Sequence, residues 1–138
     1  MNDTEYSMMV CYKSQNELLK KQKKLLVEKS TLEKMIRGAI RIPTMLETGH
    51  NIKNQFRMIF NGRINAAGKP FSDEEREAAR EAFDRLAEKD QIMAMDIPMA
   101  LQFFTQKLLK DWLANLDAAI LEIEVTITAI DDEIALLV

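Results

Sequence analysis

A seven-residue apolar repeat runs through the C-terminal part of the chain. Its members recur at alternating spacings of four and three, and there are nine of them: Leu109, Leu113, Leu116, Ile120, Ile123, Ile127, Ile130, Ile134 and Leu137. This spacing places all nine on one face of a long helix, which has to be covered by other helices of the same chain or of another subunit. We therefore predict that the repeat is a packing seam, and we take its residues as the candidate oligomer interface.

The composition favours a folded helical domain. The chain has 138 residues, 47% of them hydrophobic and 30% charged, which suits one domain and is too apolar for a disordered chain. Aromatic residues make up only 7%. The core is therefore expected to consist mainly of Leu, Ile, Ala and Met, which pack helix against helix.

A second long amphipathic segment precedes the seam. Leu18, Leu25, Leu32 and Ala39 are seven residues apart, and Leu19, Leu26, Met35 and Ile36 widen this buried stripe. Pro43 follows and disfavours a continuing helix. We predict stalk helices over about 14–41 and 98–137, with residues 1–12 as a flexible N-terminus. The expected fold is all-α: a single helical domain, 13–138, in which two long coiled-coil-like helices form an antiparallel stalk and a small helical head, 42–97, is inserted between them.

Two shorter helices are predicted within the head. One runs from about His50 to Phe60, where His50 would start or cap it and Asn61-Gly62 would close it with a left-handed cap. The other begins after Ser72, whose hydroxyl and the carboxylate of Glu75 form the pattern of a capping box, and runs to about Lys89.

Charge is divided unevenly along the chain. Residues 13–69 hold 13 Lys or Arg against 4 Glu, a net +9, whereas residues 70–138 have a net −10 and residues 1–12 a net −2. Antiparallel pairing of the long helices would set the basic stretch beside the acidic one. The basic half would equally suit a polyanionic partner.

Residues 120–128 also fit a second pattern. Leu121, Ile123, Val125 and Ile127 alternate with polar residues, as in a half-buried strand. We predict helix because the heptad repeat extends to both sides and no partner strand is evident. Isoleucine at both core positions of the repeat favours three or four helices over two, so a hairpin that dimerises into a four-helix bundle would satisfy it.

Catalytic and metal-binding signatures are missing from the sequence. His50 is the only histidine and Cys11 the only cysteine, and their spacing supports neither a nucleophile activated by histidine nor a ferritin-like metal site. The four glycines form no phosphate-binding loop. We expect a protein that is not an enzyme and that uses no metal or cofactor.

Two surfaces in and beside the head are candidates for binding a partner. A cluster of basic residues would suit the phosphates of nucleic acid and comprises Arg37, Arg41, Lys53, Arg57, Arg63 and Lys69. Methionines adapt to irregular partners, and Met93, Met95 and Met99 cluster around Pro98 as a candidate docking patch.

The sequence thus predicts an oligomeric helical protein that acts by binding another macromolecule, as a protein–protein adaptor, an assembly factor or an inhibitor. The expected partners are copies of the chain itself, from dimer to tetramer, and another protein. The alternative is an oligomeric accessory protein for DNA or RNA. No segment reaches the roughly 18 apolar residues of a membrane span. The single cysteine and the acidic N-terminus favour the cytoplasm.

Overall fold

Four α-helices make up the fold. The computed structural model describes residues 2–42, 51–88 and 97–138, and its helices are α1 (Asp3–Ile36), α2 (Ile52–Phe60), α3 (Asp73–Glu88) and α4 (Ile97–Leu137). No strand occurs within these ranges, where the only β feature is an isolated bridge between Ile64 and Pro70. The expected all-α class is therefore confirmed.

Helix α1 both begins and ends earlier in the chain than predicted, at Asp3 and Ile36 instead of about 14 and 41. It begins at Asp3 because the side chain of Asn2 accepts a hydrogen bond from the Glu5 amide, so residues 3–12, expected to be flexible, are helical. It ends at Ile36, well before Pro43. Gly38 has a φ of 77°, and the amides of Gly38 and Ala39 donate to the carbonyls of Met35 and Lys34, which is a Schellman cap.

Helix α4 is continuous across the segment that resembled a strand. It extends for 41 residues, about 60 Å at the usual helical rise. The hydroxyls of Thr126 and Thr128 donate to the carbonyls of Glu122 and Glu124, four residues earlier. The β-branched polar residues are thus accommodated in a helix, as predicted.

The two long helices contact each other in opposite order. Gln15 of α1 donates to the carboxylate of Asp131, Gln22 donates to Glu124 over 3.5 Å, and Lys29 lies 2.7 Å from Asp117. Each step of seven residues forward along α1 is therefore matched by a step of seven residues backward along α4.

The seam is covered from within the chain, but only over part of its length. Leu109, Leu116, Ile120 and Ile123 are buried in one cluster that also contains Leu25 and Leu32 of α1. The remaining members of the repeat are only partly buried: Leu113, Ile127, Ile130, Ile134 and Leu137. Coverage thus decreases toward the end of α4 that lies farthest from α2 and α3.

The loop after α2 anchors the small helices to both long ones. The indole of Trp112 on α4 donates to the carbonyl of Ile64 over 3.1 Å. Arg63 Nη1 lies 3.2 Å from Glu28 Oε1. Two adjacent loop residues therefore contact the long helices: Arg63 contacts α1 through its ion pair with Glu28, and Ile64 contacts α4 through its carbonyl.

Aromatic rings fill the space between the small helices and α4. Phe56, Phe83 and Phe104 have ring centroids 5.5 to 6.0 Å apart. A second group, formed by Phe60, Phe71 and Trp112, has centroids 4.5 to 5.8 Å apart. These tilted and edge-on contacts fix α2 and α3 on one side of the paired helices.

The small helices largely match the sequence prediction. The Ser72 hydroxyl accepts from the Glu75 amide and the Glu75 carboxylate accepts from the Ser72 amide, each at 3.1 Å, which confirms the capping box. Gly62 has a φ of 72°, but Asn61 before it is extended and the Arg63 amide donates to the Phe60 carbonyl over 3.1 Å, so α2 ends in a type II turn instead of the predicted left-handed cap. The side chain that caps α2 is Asn51, whereas His50, the predicted cap, lies outside the described residues.

Candidate interaction surfaces

One side of the paired helices carries two matched rows of residues, which we call the ladder face. On each helix the row members are spaced four, three, four and three residues apart. The α1 row is Gln15, Leu19, Gln22, Leu26 and Lys29, and the α4 row is Asp117, Leu121, Glu124, Thr128 and Asp131. Each residue of one row lies opposite a residue of the other, and we call such an opposed pair a level. The three polar contacts between α1 and α4 are levels of this kind, and they alternate along the helices with levels that contain a leucine.

The leucines of the ladder face are exposed to an unusual degree for this residue type. Leu19 is 48% exposed, Leu26 46% and Leu121 60%. Leu19 and Leu26 had been expected to widen the buried stripe of α1. They lie outside it because α1 turns its Leu25–Leu32 edge toward α4, which leaves its flank open. Their exposure was not predicted. The only signal for it in the sequence is that Leu19 and Leu26 alternate at spacings of four and three with the polar residues Gln15 and Gln22, which places all four on one face of the helix.

The side of the paired helices opposite the ladder face carries the small helices and their loop. Glu28 and Lys24 of α1 contact the loop after α2, at Arg63 and at the Gly68 carbonyl. Neither residue belongs to the α1 row of the ladder face, and Trp112, which holds the loop on α4, does not belong to the α4 row. Apart from Gln15, which is buried, the residues of the ladder face are therefore left exposed or half-buried by the rest of the described chain.

The charges of α1 and α4 have predominantly opposite signs over the central part of the paired helices. Helix α1 holds seven Lys and three Glu between Lys13 and Lys34, while α4 holds seven Asp or Glu and no Lys or Arg between Asp111 and Glu133. The hydrogen bond to Asp117 and its charge raise the pKa of Lys29. Most of the remaining charges are exposed and available to another molecule.

The candidate nucleic-acid residues do not form one continuous basic surface. Lys53 and Arg57 line a groove between α2 and α3 together with Asp73, Glu74 and Glu77. A phosphate there would meet carboxylates as well as cations. Arg63 is held in its ion pair with Glu28, and Arg37 lies 3.8 Å from Glu33. Arg41 and Lys69 are exposed.

The methionine patch is described only in part. Met99 is exposed in the first turn of α4, with Pro98 beside it. Met93 and Met95 lie outside the described residues. The patch stays a prediction.

Cys11 contributes to packing and is not a reactive thiol. Its thiol is buried between α1 and α4, and this burial together with the charge of Glu133 raises its pKa, which favours the unreactive protonated form. Among the described residues no group of three or more His, Cys, Asp or Glu is placed to hold a metal ion.

Comparison with known proteins adds no relative. A scan of family models and searches of curated proteins and of solved structures found nothing that matches this chain. In the described part of the chain, no helix combines the length and the apolar character that crossing a membrane would require.

Proposed function

We propose that this protein is a helical assembly protein that acts by binding other macromolecules, not an enzyme. Its α1 and α4 form an antiparallel, coiled-coil-like stalk, and the small helices form a head at one end. Two copies pair through the ladder face into a four-helix bundle, and the two heads present the surface that binds a further protein. The observation that carries this proposal is the open ladder face with its exposed leucines.

A second copy of the chain is the partner that best complements the ladder face. A two-helix hairpin leaves the flanks of both helices open, whereas a four-helix bundle closes them. With a twofold axis parallel to the stalk, α1 of each copy lies beside α4 of the other, so the basic helix meets the acidic one at every level. With the heads at opposite ends, α1 would lie beside α1, and like charges would repel.

The polar levels of the ladder face suit an interface that has a defined register. Gln22 and Glu124 alternate along the stalk with Leu26 and Leu121. Polar groups within a helical bundle lower its stability but specify how the helices align. We therefore expect a dimer of one register instead of a mixture of assemblies.

The test is a pair of variants at neighbouring positions. Leu26→Glu places a carboxylate in the proposed interface, whereas Val27→Glu places one on the adjacent residue, which is 62% exposed and lies outside the ladder face. We expect Leu26→Glu to lower the mass in solution to that of a monomer and Val27→Glu to leave the dimer intact. Equal masses for both variants would contradict this interface, and helical circular dichroism shows that both are folded.

Binding of DNA or RNA is the alternative function, and exposed lysines on α1 such as Lys20, Lys23 and Lys34 favour it. It predicts nucleic acid that co-purifies and is released by salt, because phosphate contacts weaken steeply with ionic strength. Charge reversal at Lys53 and Arg57 that leaves such binding intact would contradict a site on α2. The cytoplasmic location stays a prediction.

A further inference from the structure

A continuous groove runs between α3 and α4 on the head. One part has a volume of about 590 Å³ and the next about 420 Å³, and Ala79, Leu108 and Asp111 line both. Residue numbers rise along the α3 wall as they fall along the α4 wall. The groove spans α3 from Glu75 to Arg85, about 15 Å at the helical rise, or three turns.

The lining of the groove is apolar and, on one side, small. The middle of the α3 wall is formed by three alanines, Ala78, Ala79 and Ala82, and Leu86 lines the wall at the end near Arg85. Leu108 and Trp112 belong to the α4 wall, and Phe71 lines one end. Small side chains let another helix approach closely, and a groove of this kind accepts the apolar face of an amphipathic helix.

The two ends of the groove carry opposite charges. Glu75 lies at one end, Asp111 lines both parts of the groove, and Arg85 and Lys107 lie at the other end, where both are exposed. A helix lying in the groove would therefore have a negatively charged side chain beside one of its ends and positively charged side chains beside the other. Its own charges therefore have to be ordered the opposite way.

We propose that this groove binds an amphipathic helix of a partner protein, about three turns long, with basic residues at one end and acidic residues at the other. The inference rests on the proposed function, because it specifies the protein that the head would bind. It concerns a different surface from the ladder face, so each can fail without the other.

Trp112 makes the binding measurable, because it is the only tryptophan of the chain and lines the groove. The probe is a synthetic peptide of about three helical turns without tryptophan, with a leucine stripe, lysines at one end and glutamates at the other. The matched control has the same composition and stripe but interleaved charges. Both are titrated into the full-length protein while Trp112 fluorescence is recorded.

We expect the peptide with separated charges to bind at least about tenfold more tightly than the interleaved one, a difference of about 1.4 kcal/mol. Ala78→Arg, which obstructs the groove, should weaken binding at least about tenfold. Ala129→Arg is the matched control, an exposed alanine on the distant part of α4, and should leave binding unchanged. Arg85→Glu with Lys107→Glu should abolish the preference between the peptides.

Equal affinities for the two peptides, unchanged binding by Ala78→Arg, or no fluorescence change at about 1 mM peptide would overturn the inference. The mass of the same sample in solution separates the two proposals. If the protein is a dimer that does not bind the peptide, only the proposal of a helix-binding groove is contradicted. If it is a monomer that binds the peptide, only the proposal of pairing through the ladder face is contradicted.

Discussion

Lys29 Nζ lies 2.7 Å from Asp117 Oδ1, seven residues along α1 from the contact between Gln22 and Glu124. This ion pair is the last of three contacts between α1 and α4. From one contact to the next, the residue number rises by seven on α1 and falls by seven on α4. Such a series fixes the register of the two helices, because a shift by one residue would separate every pair at once.

Reversing the charge at either end of this pair tests the register. Lys29→Glu should destabilise the fold, because it sets two carboxylates side by side, and adding Asp117→Lys should restore most of the loss. Both side chains are substantially exposed, so the coupling should be small and should shrink with added salt. Urea unfolding of the two single variants and the double variant measures it, and a double variant no more stable than the singles would contradict the register.

The aromatic cluster of Phe56, Phe83 and Phe104 should dominate the stability of the region formed by α2, α3 and the start of α4. Phe56 is 2% exposed and contacts the rings of both Phe83 and Phe104. Phe56→Ala should lower the free energy of unfolding by about 3–5 kcal/mol, because it removes buried apolar surface and leaves a cavity. Met58→Ala, on the exposed side of the same helix, should change it by less than about 0.5 kcal/mol. Chemical denaturation distinguishes the two, and similar values for both would contradict the packing.

Stability should depend on the protonation of Glu28. Burial raises the pKa of its carboxyl above the ordinary value for Glu, although Arg63 and the Ile64 amide act in the opposite direction. The folded state therefore holds this proton more tightly than the unfolded state, so the contribution of Glu28 to stability is greatest in acid and decreases as the pH rises through the raised pKa. The stability of the protein relative to a Glu28→Gln variant should fall between about pH 4 and pH 7, the range above the ordinary Glu pKa.

Unfolding free energies of the protein and of Glu28→Gln across this range check the prediction. A difference that stays constant with pH, or that grows in favour of the unmodified protein as the pH rises, would show that the pKa of Glu28 is not raised in the folded state.

Local signals in the sequence predicted much of the fold. The heptad repeat predicted α4, the Ser72–Glu75 pattern predicted the start of α3, and both depend only on residues close in sequence. The ends of α1 were predicted less well, because Asn2 and Gly38 can be recognised as caps only once the neighbouring amides have been placed. Pro43 was the more obvious stop signal, but Gly38 ends the helix first.

The candidate surfaces were harder to predict, because they depend on which flank of each helix remains uncovered. The repeat marked Ile123 as an interface residue, yet α1 of the same chain covers it to 5% exposure. An acidic substitution there would disrupt the fold of the monomer before any assembly. Leu19 and Leu26 looked like part of the buried stripe until the rotation of α1 against α4 was known. Ile64 was missed because its backbone carbonyl makes the contact with Trp112, and a carbonyl carries no residue-specific signal.

The mass of the unmodified protein in solution, measured by light scattering on a sizing column, shows whether two copies of the chain pair. The chain has a mass of 15.9 kDa, and pairing through the ladder face predicts a single species of twice that mass. The same trace should show no excess absorbance at 260 nm, the sign of bound nucleic acid. In the dimer the basic α1 of each copy lies beside the acidic α4 of the other, which occupies the surface that nucleic acid would bind. A monomer at all concentrations would contradict the account, and so would a protein that carries nucleic acid until salt removes it.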